Sequence, residues 1–242
     1  MRIMLYDAHT HLHEFLDSRI AEFVREITIA AVSDDYPSSR RTIELSSNYE
    51  NIIPCVGIHP WNVDKVRLDE LRQVEKLLSE ARCIGEVGLD RRFVPPQTFN
   101  RQVEFFQAFV NWAREYDLPL NIHAPDAWRD VLELVRRADV DRVLFHWYTG
   151  PLNLIQELRD YGYYVSINAA IKIQEKSRAV AREAPLGMIL LESDGPYEYR
   201  GGITLEPPMV KDAASIVAEV KGLSVDDVWD AVGANFSRLF NL

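Results

Sequence analysis

Cysteines are scarce in this sequence, and long apolar runs are missing. Its 242 residues include two cysteines, Cys55 and Cys83, and each lies inside an apolar run, which predicts buried, reduced thiols rather than a disulfide framework. No apolar run approaches the ~20 residues that a membrane-spanning helix needs, and the apolar start at residues 1–5 is too short for a signal peptide. The sequence therefore predicts a cytoplasmic protein that does not contact a membrane.

Basic residues are fewer than acidic residues in this chain. The chain has 27 Lys and Arg against 37 Asp and Glu, which gives a net charge of −10. A protein that grips duplex DNA through its backbone is normally basic overall or on one face, so tight nonspecific duplex binding is not expected. A local basic patch around a metal centre stays open, because metal ions supply positive charge themselves. No obligate protein partner is indicated.

An alternation of short apolar runs with amphipathic segments predicts an α/β fold. Strands are predicted at 3–8, 28–33, 52–58, 82–87, 118–123, 142–146, 162–167 and 187–193. Helices are predicted at 16–26, 38–49, 67–81, 98–116, 126–137, 151–160, 173–183, 207–221 and 224–240. Eight strands alternating with helices favour a (β/α)8 TIM-type barrel formed by one domain, residues 1–242. An open doubly wound sheet is the competitor, but no Gly-x-Gly-x-x-Gly turn follows the first strand. The loops at 88–98 and 194–208 are long, which is typical of functional loops.

Side chains that can bind metal follow six of the apolar runs. They are His9, His11, His59, Glu86, His123, His146 and Asp194. The carboxyl ends of parallel barrel strands meet at one rim, so these groups are expected to converge there. Imidazole nitrogen and carboxylate oxygen at one point suit a divalent metal ion, which indicates a metal-dependent hydrolase.

The spacing suggests a role for several of these groups. His9 and His11 are two residues apart, so in an extended strand they point the same way and can bind one ion together. Glu86 lies in an otherwise apolar strand and needs a partner, either an arginine or a pair of metal ions. No lysine ends any of the first six strands, so Glu86 is the candidate bridging ligand. Asp194 follows the last strand, beside the first one in a closed barrel, and is predicted to be both a ligand and the general base.

The remaining candidates surround this centre. His123 and His146, on adjacent strands, are predicted to supply the second ion. His59 is predicted to contact a substrate phosphate or to protonate the leaving group rather than to bind metal. His13 is predicted to lie behind the ligands or to touch the substrate. The acids expected to orient imidazoles are Asp7 and Glu192.

Several motifs together resemble a known family. They are Asp7-Ala8-His9-Thr10-His11-Leu12, Gly57-Ile58-His59-Pro60, Ile84-Gly85-Glu86-Val87-Gly88-Leu89-Asp90, Leu118-Pro119-Leu120-Asn121-Ile122-His123, His146-Trp147-Tyr148-Thr149-Gly150 and Leu190-Leu191-Glu192-Ser193-Asp194-Gly195-Pro196-Tyr197. Nearly end to end, the chain resembles the TatD-like metal-dependent deoxyribonucleases, a branch of the amidohydrolase-type barrels. The resemblance implies a somewhat distorted barrel with two divalent ions at the carboxyl rim. By position, their ligands are His9, His11, Glu86, His123, His146 and Asp194.

The resemblance also implies a reaction, the hydrolysis of DNA phosphodiesters, often from an end. The expected attacking group is a metal-bound hydroxide, and the expected substrate is a single strand or a frayed end. Histidine and carboxylate ligands suit zinc, manganese or magnesium. Trp147 and Tyr148 are predicted to stack on a terminal base, and Arg91, Arg92 and Arg200 are candidates for contacts with the DNA backbone.

Around the metal motifs the chain departs from the family pattern. Ala124-Pro125 replaces the usual Ser-Arg, and Arg129 is a candidate replacement for that arginine. Trp147-Tyr148-Thr149 replaces Cys-Phe-Ser, His13 replaces an Asp, and Leu205 replaces an Asn. The alternative is therefore a small-molecule hydrolase of amides, lactones or phosphate esters on the same barrel. A non-enzymatic metal-binding protein is disfavoured, because every ligand-type group and a candidate base are kept.

Overall fold

The computed structural model describes residues 4–242, and its main sheet has eight parallel strands that follow one another in sequence order. They are β1 (Leu5–Thr10), β2 (Ile27–Ala31), β3 (Ile52–Val56), β4 (Cys83–Gly88), β5 (Leu120–His123), β6 (Val143–Phe145), β7 (Tyr164–Ile167) and β8 (Ile189–Leu191). Each of the eight predicted strands overlaps one of these. The first was predicted to begin at Ile3, which lies outside the described residues. Nearly every residue of these strands is buried, as expected for parallel strands covered on both faces.

The sheet closes through the chain that follows β8. The backbone N–H of Asp194 donates to the carbonyl oxygen of His9 at 2.9 Å, and the N–H of His11 donates to the oxygen of Gly195 at 2.9 Å. The end of β8 therefore lies along the end of β1 in a nearly closed barrel. The predicted (β/α)8 TIM-type fold is confirmed.

Helices connect the strands and cover the barrel. They are α1 (Asp17–Phe23), α2 (Tyr36–Asn48), α3 (Leu68–Leu77), α4 (Phe99–Glu115), α5 (Trp128–Arg137), α6 (Asn153–Asp160), α7 (Glu175–Glu183), α8 (Val210–Lys221) and α9 (Val225–Phe240). The start of α9 shows how local sequence sets such a boundary, because Ser224 and Asp227 cap each other's backbone N–H groups. Among the helices of residues 4–242, none has both the length and the apolar character that a bilayer crossing requires.

A small hairpin interrupts the loop after β8. Strand β9 (Glu198–Tyr199) pairs antiparallel with β10 (Ile203–Thr204). The turn between them contains Gly201 and Gly202 with φ of 84° and 74°, a left-handed backbone that glycine adopts without strain. The sequence analysis treated 194–208 as a loop, because two-residue strands are too short to show a period.

Candidate metal centre and substrate cleft

A cleft of about 780 Å³ opens at the carboxyl ends of the barrel strands. The groups at its floor are His11, His59, Glu86, His123, His146 and Asp194, with His9 fully buried directly beside them. All seven groups that the sequence analysis placed at one rim are therefore close together in space.

Two local irregularities accompany this convergence. Strand β1 shifts its register within residues 7–10, and β4 shifts within residues 84–87. A bulge redirects the side chains around it. His9 and Glu86 fall inside these two stretches, so the irregular parts of the barrel carry two of its central polar groups.

One oxygen of Glu86 faces the side chains from β1 and the end of β8. Its Oε2 atom lies 3.3 Å from His9 Nε2 and 3.1 Å from His11 Nε2. Asp194 completes this side, with its Oδ1 atom 3.3 Å from His9 Nε2 and 3.5 Å from His11 Nε2. Two imidazoles and two carboxylates thus surround a single point.

The other oxygen of Glu86 faces the strands across the barrel. Its Oε1 atom lies 2.8 Å from His123 Nδ1 and 2.8 Å from His146 Nε2. His59 Nε2 lies 3.1 Å from the same oxygen. The close approach of the β4 backbone to the β5 backbone at His123 depends on Gly88, because a Cβ at residue 88 would lie 2.0 Å from the carbonyl oxygen of His123.

The donor set fits divalent cations. His9 Nε2 is buried and has no hydrogen-bond partner among residues 4–242, although it points between two carboxylates. Such an orphaned nitrogen is costly unless a cation or a proton satisfies it. His9, His11 and Glu86 offer ligand atoms close enough to hold one ion, and His59, Glu86 and His123 form a second such group. The nitrogen and oxygen donors suit zinc, manganese or related metals.

The charges of these groups depend on one another. Burial opposes ionisation of Glu86, but the imidazoles of His59, His146 and His9 hold the pKa of its carboxyl well below the usual range. Burial likewise opposes a charge on His9, yet the carboxylates of Glu86 and Asp194 hold the pKa of its imidazole well above the ordinary value. Protons and metal ions therefore compete for the same nitrogen atoms.

His59 differs from the other imidazoles in its hydrogen bonds. The backbone N–H of Trp61 donates to its Nδ1 atom at 3.1 Å. In the neutral ring the proton then resides on Nε2, which donates to Glu86 Oε1 at 3.1 Å. Burial lowers the pKa of His59, so the neutral form is favoured. The arrangement makes His59 a neutral hydrogen-bond donor at the floor of the cleft.

Three residues that the sequence analysis missed hold the far nitrogens of the imidazoles. Asn121 Oδ1 lies 2.8 Å from His9 Nδ1, and Asp90 Oδ2 lies 2.9 Å from His123 Nε2. Asp34 Oδ1 lies 3.2 Å from Nδ1 of His11. Partners of this kind set the orientation of a metal-binding ring. A signal for Asn121 was present in the sequence, because it precedes His123 by two residues in β5 and shares its face of the strand.

With this geometry in view, the chain can be compared with known proteins. The family model described as "TatD related DNase" matches residues 6–241. The chain belongs to the TatD-related DNase family. The predicted resemblance is thereby confirmed, and the protein is a metal-dependent hydrolase.

Individual relatives agree with this assignment. The chain is 30% identical over 261 residues to the uncharacterized metal-dependent hydrolase YcfH of Escherichia coli (strain K12), covering 99% of this chain and 97% of that protein. It is 28% identical over 260 residues to deoxyribonuclease TATDN3 of Homo sapiens, covering 98% and 94%. The crystal structure of YJJV, a TatD homologue from Escherichia coli K12, superposes with a TM-score of 0.89 at 23% identity over 100% of both chains, which shows the shared fold.

Asp7 does not orient an imidazole in this TatD-related barrel, contrary to the prediction. Its Oδ1 atom accepts the backbone N–H groups of His9 at 3.2 Å and of Ser193 at 2.9 Å. Asp7 thus joins the ends of β1 and β8, and burial raises the pKa of its carboxyl to about 7. Glu192 lies 3.7 Å from His146 Nδ1, close to the predicted position. Its hydrogen bonds go to Ser166 and Asn168.

Of the two aromatic residues predicted to contact the substrate, one lines the cleft and the other does not. Trp147 lines the cleft beside the hairpin, and its indole N–H donates to Gln174 at 2.9 Å. The prediction that Tyr148 stacks on a base is wrong, because its side chain is 1% exposed and its hydroxyl donates to the carbonyl oxygen of Pro151 at 2.7 Å.

The predicted arginines divide in the same way. Arg200, at the hairpin turn, lines the cleft, and no described residue pairs with its guanidinium. Arg92 also lines the cleft, with its guanidinium bound to Asp126. The prediction that Arg91 contacts the substrate is wrong. Arg91 is not among the residues that line the cleft, and its guanidinium binds Asp130 at 2.9 and 3.0 Å.

Two further predictions concern the chain's departures from the TatD pattern. His13 lies behind the ligands, with its Nε2 atom 3.2 Å from Asp34 Oδ2, and is not among the residues that line the cleft. Arg129 does not replace the missing arginine, because it binds Glu157 at 2.7 Å on the exterior. Ala124 and Pro125, the predicted departure from the family pattern, line the cleft.

Proposed function

We propose that this chain is a two-metal phosphodiesterase that cleaves DNA from an unpaired end. The observation that carries the proposal is the position of Glu86, whose two carboxylate oxygens each face a separate set of imidazoles. A carboxylate placed in this way suits a bridge between two cations. A salt-bridge partner such as arginine would instead approach one edge of the carboxylate.

The assignment of ligands follows from the contacts. One ion would be held by His9, His11, Asp194 and Glu86 Oε2. The other would be held by His123, His146 and Glu86 Oε1. When bound, such ions polarise a phosphoryl oxygen and lower the pKa of a water molecule, which supports hydrolysis at neutral pH.

Two of the chain's own side chains would act directly in the reaction. Asp194 carries an ionised carboxylate, because His11 and His9 hold its pKa below the ordinary value despite burial. It is positioned to accept the proton of the attacking water. His59, neutral with its proton on Nε2, is positioned to donate a hydrogen bond toward a phosphoryl oxygen, where negative charge develops. Asp194 lies beside the imidazoles that face Oε2 of Glu86, and His59 lies beside Oε1, so the two groups flank the proposed metal centre.

The DNA substrate is supported by the family and by the rim. The human relative is named a deoxyribonuclease. In this chain, Trp147 and Arg200 line the cleft next to the proposed metal centre. An aromatic face and a free guanidinium are groups that bind a base and a phosphate.

The test is cleavage of 5′- and 3′-labelled single-stranded DNA by protein loaded separately with zinc, manganese or magnesium, with metal content measured in each sample. We expect stepwise shortening from one end, at about two bound ions per chain. The Asp194→Asn variant should lose this activity. A protein with bound metal that leaves every DNA untouched contradicts the proposal.

A small-molecule hydrolase is the second candidate, favoured by one observation. Ala124 and Pro125 line the cleft where the family has an arginine, and Arg129 points elsewhere. A panel of lactones, amides and phosphate monoesters run beside the DNA assay separates the two. Turnover of one of these compounds with DNA intact favours the second candidate.

A further inference from the structure

Two aromatic surfaces flank the cleft, and the proposed chemistry does not use the first. We call it the first wall, formed by Trp61 in the loop after β3 and Phe93 in the loop after β4. Trp61 is 41% exposed and Phe93 is 58% exposed, yet both line the cleft. Their rings meet edge to face with centroids 5.9 Å apart. Large aromatic rings left open beside an active site indicate a binding surface.

The second wall consists of Trp147, Tyr197 and Tyr199. The ring of Trp147 lies 5.6 Å from that of Tyr197 and 5.3 Å from that of Tyr199. Tyr197 is 44% exposed, and all three rings line the cleft. They belong to the loop after β6 and to the segment after β8 that forms the hairpin.

The strand order places these walls on opposite sides of the cleft. The strands follow one another around the barrel from β1 to β8, so β4 lies across the barrel from β8. The loops after β3 and β4 therefore face the segment after β8. Glu86 and the imidazoles form the floor between the walls. Arg92, paired with Asp126, stands beside the first wall, and Arg200 stands beside the second.

We propose that the two walls bind unpaired nucleobases, one on each side of the phosphodiester group above Glu86, and that Trp61 and Phe93 form a base-stacking subsite. This inference rests on the proposed nuclease function. Every base offers a π face, so stacking tolerates any sequence but requires that the base is not already paired and stacked in a duplex. The substrate class is therefore a single strand that extends at least one base to either side of the bond cleaved.

The first wall is held rigidly to the floor by one carboxylate. The indole N–H of Trp61 donates to Asp90 Oδ2 at 2.6 Å, and the same oxygen lies 2.9 Å from His123 Nε2. The other oxygen, Oδ1, accepts the backbone N–H groups of Arg92 at 2.7 Å and Phe93 at 2.8 Å. A surface fixed in this way loses little entropy when a base stacks on it. A base on the wall is also held at a set distance from the proposed metal centre.

The test compares two ligands with the full-length protein. One is a fluorescent octathymidylate, and the other is an oligomer of the same length whose sugars are abasic tetrahydrofuran units. Affinity is measured by fluorescence anisotropy with the metal-loaded protein and phosphorothioate-linked forms of both ligands, which resist cleavage, and KM and kcat are measured with the phosphodiester octathymidylate. The variants are Phe93→Leu and Trp61→Leu, which keep apolar volume and remove the ring. Tyr116→Leu is the matched control, because Tyr116 is 40% exposed and lies outside the cleft.

We expect each wall variant to bind octathymidylate about 5- to 150-fold more weakly, the loss that corresponds to one stacked base. Affinity for the abasic oligomer should stay unchanged, and Tyr116→Leu should match the unaltered protein with both ligands. Phe93→Leu is the cleaner variant, because Trp61→Leu also removes the hydrogen bond to Asp90. A Trp61→Phe variant retains the ring without that hydrogen bond and should recover most of the affinity.

Three outcomes overturn the inference: unchanged octathymidylate affinity in Phe93→Leu, equal losses for both oligomers, or no binding of octathymidylate by the unaltered protein. Failure of the nuclease proposal looks different. In that case the anisotropy pattern appears as expected, while the metal-loaded protein cuts no DNA.

Discussion

The floor of the cleft and its rim are built in different ways. Glu86 and His9 on the floor are 1% and 0% exposed, and the backbone of a strand or its end fixes their direction. Trp61 and Phe93 on the rim lie in loops and are largely open to solvent. The contrast separates two tasks: the floor supports one chemistry with fixed geometry, and the rim determines which molecule reaches it.

The two regions should also respond differently to substitution. On the floor, imidazoles and carboxylates share atoms, so removing one group leaves buried partners unsatisfied and the loss spreads through the set. On the rim, the side chains form separate contacts, so the effects should be graded and local. Four predictions test this difference.

The largest effect is expected for Glu86→Gln. The amide keeps the shape of the side chain but removes the charge that faces both imidazole sets. We expect loss of bound metal and a fall in activity of about 1000-fold, equivalent to several kcal/mol of transition-state stabilisation. Metal analysis and initial rates measure this. A Glu86→Gln variant that keeps its full metal content would contradict the bridging role of Glu86.

His59→Gln should give the next largest effect. His59 is on the floor, but its hydrogen bonds leave it a neutral N–H donor rather than a ligand. We expect kcat to fall by about 100-fold, the lower end for loss of one hydrogen bond to charge that develops in the transition state. Metal content should be unchanged, and KM should change little. If metal content falls in step with kcat, His59 belongs with the ligands.

Most of the barrel was predictable because buried parallel strands are continuous apolar runs with polar groups at their ends. The predicted strand at 52–58, for example, overlaps Ile52–Val56. The hairpin from Glu198 to Thr204 was not predictable, because its pairing depends on glycine conformations in the turn rather than on a hydrophobic period.

The site residues, like the fold, were predictable where they lie at the ends of barrel strands and unpredictable where they lie in loops. Residues at strand ends converged as expected, because a barrel directs the carboxyl ends of all its strands toward one rim. Residues in loops did not follow from spacing. Arg91 and Arg92 are neighbours, yet only Arg92 lines the cleft, and Tyr148 turns into the core beside Trp147. Loop side-chain directions depend on individual backbone angles, such as the φ of 36° at Trp147, which no periodic pattern encodes.

Asn121→Ala should have an intermediate effect, because Asn121 contacts the far nitrogen of His9 and does not face the cleft itself. The variant removes the oxygen that lies 2.8 Å from His9 Nδ1. We expect metal affinity to fall about 10- to 100-fold, as is typical when the partner of a metal-binding histidine is removed. Competition with a chelator of known affinity measures the change. The amide N–H of Asn121 also donates to the carbonyl oxygen of Ala8 at 2.8 Å, so Asn121→Asp keeps the acceptor for His9 but loses that bond and should recover only part of the affinity. An alanine variant that holds metal as tightly as the parent places Asn121 outside the functional floor.

The smallest effects are expected from a pair of rim arginines. Arg200→Ala removes a guanidinium without a described partner from the cleft, so KM for single-stranded DNA should rise about fivefold, which corresponds to about 1 kcal/mol. The slope of log KM against log salt concentration should fall by about 0.7, the value for one phosphate contact on a single strand.

Arg91→Ala is the matched control: its ion pair with Asp130 lies outside the cleft, so KM and the salt slope should be unchanged. Its free energy of unfolding should fall by less than about 1 kcal/mol, as for exposed ion pairs in general. Equal shifts in KM for the two variants would mean that long-range charge, rather than the direction of the side chain, governs substrate binding at the rim.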